Sequence, residues 1–135
     1  MGRPWRSARV VLPLALLLVT GCGSSQSPFA RETEQAGSQL TAAAVTLEYL
    51  HTGRLAAPYA DSGFVFYRSQ LSQVEEKLAT AKGAPDPQAV QQLVELYRAA
   101  QPAIDKPCLD DTCDWQAQVA ALQRAGEAFR NASGG

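Results

Sequence analysis

The side chains able to do chemistry are few in this chain of 135 residues. His51 is the sole histidine, Met1 the sole methionine, and Cys22, Cys108 and Cys113 the only cysteines. Glu48-Tyr49-Leu50-His51 forms an E-x-x-H, the spacing by which helical di-iron bundles set two ligands on one helix face. Such centres need two copies of the motif and further glutamates from other helices. A single copy near a helix end reads more simply as a histidine in the last turn, where it suits the helix dipole. Haem would need a His/Met axial pair or an attached C-x-x-C-H, and neither is present. A Ser-His-Asp or Cys-His system would have to use His51, with no local motif to recruit it. No glycine-rich phosphate loop occurs. Asp105, Asp110, Asp111 and Asp114 could invite Ca²⁺. Three of them fall where a helix is expected to begin, and carboxylates there cap amides and meet the dipole. No catalytic residue, metal site or cofactor is expected, and an enzyme is not the reading.

Composition narrows the partners. Lys and Arg number 12 against 13 Asp and Glu. Arg3, Arg6 and Arg9 all precede an apolar stretch, Val10 to Val19; without those three the balance is nine against 13, or −4. A mildly acidic chain lacks the basic footprint that nucleic acid requires. The apolar stretch would cover about 15 Å as a helix, half of a ~30 Å hydrocarbon core. That is too short for a permanent span and suits the apolar region of an export signal.

Leu18-Val19-Thr20-Gly21-Cys22 closes this segment. An aliphatic residue, small residues and a cysteine in that order resemble the lipobox of bacterial lipoproteins. The resemblance covers only the first sixth of the chain. It implies cleavage after Gly21 and a diacylglyceryl group on the Cys22 thiol, often with a third acyl chain on the freed amine. Two or more chains anchor a protein stably, where one binds only marginally. A membrane-tethered protein on the extracytoplasmic side follows. Gly23 stands where an aspartate would favour inner-membrane retention, so the outer membrane is expected if the host has one, and otherwise the plasma membrane. Residues 22–30, with Gly23-Ser24-Ser25-Gln26-Ser27-Pro28, read as a flexible tether.

Export also bears on Cys108-Leu109-Asp110-Asp111-Thr112-Cys113, because exported chains meet oxidising conditions. A disulfide is expected, pinning a corner between two helices. The alternatives are a metal thiolate pair, which would want four ligands, and a redox pair, which usually has the tighter C-x-x-C spacing.

The elements that must position these residues are helical. Beyond residue 30 the chain is rich in Ala, Gln, Leu and Glu, all strong helix formers. The first helix is expected over about 31–52, with Leu40, Ala43, Ala44, Leu47 and Leu50 at helical spacing and Gly53 ending it. The second is expected over about 61–82, where Phe64, Tyr67, Leu71, Val74, Leu78 and Ala81 step as a heptad seam. Asp86 as N-cap and Pro87 at N1 should open the third, which Pro102 ends or bends within a turn. The fourth should start near Asp110 or Asp111 and bury Trp115, Val119, Leu122, Gly126 and Phe129. Short links favour antiparallel neighbours, hence an all-α, small up-down four-helix bundle. The expected layout is a signal peptide over 1–21, a lipidated tether over 22–30, the bundle over 31–131 and a disordered tail over 132–135.

Tyr49 and Phe66 fall off their helices' buried stripes, and Tyr59 lies in the expected connection. Together with the cysteine corner and the acidic cluster, these aromatics should gather at the membrane-distal tip. Exposed aromatics there could form a partner surface or simply pack beneath the loop. The functional reading is a membrane-anchored, non-enzymatic envelope lipoprotein that binds or scaffolds another envelope protein. The alternative is a small-ligand or metal-binding bundle with a pocket lined by Tyr67, Tyr97 and Trp115.

Overall fold

The computed structural model describes residues 26–134, and among them all regular structure is helical. The expected signal peptide, Cys22 and the first part of the tether lie outside the described residues. Helix α1 spans Pro28–His51. Ser27 is its N-cap, its hydroxyl accepting from the Ala30 amide at 3.1 Å, and Pro28 sits at the start of the first turn, where a missing N–H costs nothing. The helix therefore begins three residues before the expected Arg31. Ser-Pro has tether composition, yet here it is a cap followed by a pre-set φ. Phe29, only 2% exposed, belongs to the core, so the tether expected over 22–30 is shortened from its C-terminal side. At the other end Gly53 takes φ +77°, open to glycine without steric cost.

The second expected helix is two. Helix α2 spans Ala57–Leu71 and α3 spans Val74–Thr80, with Ser72 and Gln73 between them. The heptad seam still runs through the break, since Phe64, Leu71, Val74 and Leu78 are all buried. The interruption contains neither Gly nor Pro. It is held from outside: the Tyr97 hydroxyl donates to the Leu71 carbonyl at 3.0 Å. Pro58 places the start of α2 four residues before the expected Asp61.

Helix α4 spans Pro87–Asp105, capped as expected by Asp86, whose carboxylate accepts from the Ala89 amide at 2.7 Å. It passes Pro102 and ends within a turn, where the Lys106 amide donates to the Pro102 carbonyl. Helix α5 spans Trp115–Gly134. Its first turn is capped by Asp114, which accepts from the Ala117 amide at 3.0 Å, so it starts later than the expected Asp110 or Asp111. The tail expected to be disordered over 132–135 is helical through Gly134.

Neighbours pack as an antiparallel ring, with α2 and α3 acting as one broken rod. Thr46 meets Tyr67, Glu32 pairs with Lys77, and His51 stacks on Trp115, each pair running in opposite chain directions. The closest crossing is α1 on α5, where Gly37 and Gly126 face one another. A Cβ on Gly126 would come within 2.7 Å of Thr41 Oγ1 and 3.3 Å of the Gly37 carbonyl. Phe29, Leu40, Leu47, Phe64, Leu71, Leu78, Ile104, Leu122 and Phe129 fill the single core between the helices. This is the expected four-helix bundle. No described helix is long and apolar enough to cross a membrane.

Candidate functional site

The end of the bundle where α1 and α4 finish carries the most organised chemistry. Cys108 and Cys113 are joined by a disulfide with Cα atoms 5.9 Å apart, inside the range that bridging needs. Gln118, from α5, clamps the loop twice: its Oε1 accepts from the Cys108 amide at 2.7 Å and its Nε2 donates to the Lys106 carbonyl at 3.1 Å. Asp110 turns the loop on itself by accepting from the Thr112 amide at 2.9 Å. The Thr112 hydroxyl and amide hold the Asp110 carboxyl below its ordinary pKa.

His51 locks this corner to α1. Its side chain is 4% exposed and stacks on Trp115 with ring centres 4.6 Å apart and planes 2° from parallel. Nε2 lies 2.6 Å from the Cys108 carbonyl. A carbonyl can only accept, so Nε2 carries the hydrogen and donates. Nδ1 then faces Asp111 Oδ1 at 3.7 Å. The E-x-x-H histidine thus spends one nitrogen on a backbone carbonyl. Cys108, Asp110 and Cys113 cluster closely enough to suggest ligands. Sulfurs bonded to each other are not thiolates, however, and thiolate is the form that binds metal. The arrangement fastens a loop across the bundle end.

The role of His51 went unread in the sequence, where the residue stood only as a favourable charge in a last turn. The signal was present. Leu40, Ala44, Leu47 and His51 step 4-3-4, which puts the imidazole on the buried stripe beside its neighbours.

A second feature is an open groove of about 610 Å³ between α2 and α4, over the break after Leu71. Its polar groups hold one another and the backbone. Arg98 grips Glu75 with two nitrogens at 2.9 and 3.3 Å, and Arg68 donates to the carbonyls of Ile104 and Asp105. Burial, with Asp105 and Glu75 nearby, pushes the Tyr97 hydroxyl up to about 12. The pocket expected between Tyr67, Tyr97 and Trp115 does not gather these three. Tyr97 borders the groove, Tyr67 shares a 2.9 Å hydrogen bond with Thr46, and Trp115 covers His51.

Tyr49, Tyr59 and Phe66 are exposed, at 41%, 72% and 52%. Tyr49 and Tyr59 lie where α1 finishes and α2 begins, and Phe66 lies well along α2. Arg54 stands over the Tyr49 ring at 5.5 Å. The cysteine corner and its aspartates belong to the α4–α5 side of the same end.

No family model matches the chain, and neither a curated protein nor a solved structure does.

Proposed function

We propose that the chain is a membrane-anchored bacterial envelope lipoprotein whose helical bundle is a non-enzymatic binding or scaffolding module for another envelope protein. The observation that carries this reading is the order of features at its start. A positive region, a short apolar stretch and Leu18-Val19-Thr20-Gly21-Cys22 come in that order, with only four residues between Cys22 and Ser27, the cap of the first helix. An acyl group on Cys22 would therefore hold the folded part close to the bilayer.

The interior supports a module that acts through its surface. Among the described residues every buried side-chain nitrogen or oxygen has a hydrogen-bond partner within the fold. The polar groups are engaged in capping, clamping and bridging, as His51, Gln118 and Tyr97 illustrate. The exposed face bearing Tyr49, Tyr59 and Phe66 is the contact surface. Cross-linking in intact cells tests the partner half of the proposal: one stoichiometric envelope protein is expected. Native mass spectrometry returning a bound small molecule or ion, with no protein cross-linked, would overturn it.

A further inference from the structure

We propose that the α3–α4 connection and the apolar groove beside it seat on the phospholipid leaflet that holds Cys22, so that the bundle stands on the end where its chain enters the fold. This rests on the lipoprotein reading and leaves the aromatic face to its protein partner.

The groove lies between the end of α3 and the start of α4 and has a volume of about 420 Å³. Leu78, Ala81, Ala84, Pro85, Pro87 and Val90 line it. Asp86 is its one charged lining residue, and that carboxylate is occupied by the Ala89 amide at 2.7 Å. The grooves over Leu71 and beside Arg130 differ, since each carries glutamate and arginine side chains. Ala84, Pro85 and Pro87 are exposed, so this apolar lining stands in water unless something covers it.

The path of the chain says what covers it. The Phe29 amide donates to the Lys82 carbonyl at 3.0 Å, and a Cβ on Gly83 would fall 2.5 Å from the Ser27 Cβ. The chain therefore enters the fold against Lys82 and Gly83, between the groove residues Ala81 and Ala84. Five residue steps from Cys22 to Ser27 span at most about 18 Å. An acylated Cys22 would thus hold this loop within that distance of its leaflet. The disulfide corner lies at the other end of α1, whose 24 residues cover about 36 Å. A short tether also supplies a high effective concentration, so an apolar contact too weak to bind a free protein is populated here.

Charge permits the contact without driving it. Lys82 is exposed in the loop, and its stem can lie along apolar surface while the ammonium reaches headgroups. Of the acidic residues nearby, Glu32 pairs with Lys77, Glu34 accepts from the Gln26 side-chain amide, and exposed Glu76 stands one turn back along α3 from Thr80. The seat is apolar, and zwitterionic lipid suffices for it.

The test uses mature protein isolated from membranes and reconstituted into phosphatidylcholine vesicles with brominated acyl chains. Trp5 and Trp115 are the only tryptophans, so the chain cleaved after Gly21 carries a single reporter, at the disulfide end. Trp115 should keep its emission. Ala84→Trp in a Trp115→Phe background should lose most of its emission to the bromines and shift to the blue, and adding Pro85→Glu should restore most of it. Where Trp115→Phe weakens the fold, Ala84→Trp with Trp115 kept reports the same as loss of the added emission alone. No quenching at Ala84→Trp would overturn the proposal, because the groove would then be open or covered by protein or by the chain's own acyl group. So would equal quenching of Trp115, or quenching that Pro85→Glu leaves unchanged, which would show nearness without docking. Failure of the lipoprotein reading is seen separately, as an intact mass without acyl chains, and the seat falls with it; acylated protein with an unquenched loop overturns the seat alone.

Discussion

At the scale of single residues, the bundle end is held by one imidazole. His51→Phe keeps a ring against Trp115 but leaves the Cys108 carbonyl without its donor, which should cost about 1–3 kcal/mol in urea unfolding. His51→Ala removes the stacked ring as well and should cost more; equal stability for all three proteins would dismiss the lock. Reducing Cys108–Cys113 should cost about 2 kcal/mol by loop-closure entropy, seen as a lower Tm in reductant. Gly126→Ala should lose about 1–3 kcal/mol, because the new Cβ would press on Thr41, including its backbone amide at 3.2 Å. The disulfide was legible in the sequence because the spacing and the expected export pointed the same way. The partnership of His51 was not, because the Cys108 carbonyl is 57 residues away in the chain and no local motif names it.

At the scale of elements, the caps were legible and the break was not. Asp86-Pro87 and Gly53 act on their own neighbours, so a local reading finds them. The division after Leu71 depends on a hydroxyl from another helix. Tyr97→Phe leaves the Leu71 carbonyl without its donor and should cost about 1–3 kcal/mol at neutral pH. The pH dependence has a definite sign. Tyr97 ionises at about 12 in the folded protein against 10.0 ordinarily, so above pH 10 the unfolded chain releases this proton first. The contribution of Tyr97 is complete below pH 10 and is lost between 10 and 12. The stability gap between wild type and Tyr97→Phe should therefore narrow across that window; a gap that stays constant would show that the hydroxyl is not held as described. The same contrast explains α1, whose start at Pro28 hid inside tether-like composition, and α5, whose cap is Asp114 because the disulfide loop occupies the preceding residues.

At the scale of the whole molecule, the helical stripes and short connections were enough to read the bundle, because each helix must bury one seam and four seams close one core. The placement of the exposed aromatics was only half legible. Helical spacing put Tyr49 and Phe66 off the core, but how they stand to one another depends on which flanks of α1 and α2 meet at Thr46 and Tyr67. On the lipoprotein proposal, what the molecule does with that surface depends on where an acylated Cys22 would hold it. Cys22→Ser should move the protein from the membrane to the soluble fraction, and a variant still quantitatively in the membrane would remove the anchor. The most direct measurement is the intact mass and N-terminal peptide of the protein taken from the host's membranes. A chain beginning at Cys22 and heavier by a diacylglyceryl group, with or without a third acyl chain, is the expected result. A chain that keeps residues 1–21, carries a free thiol at Cys22 and is recovered from the cytosol would contradict the account.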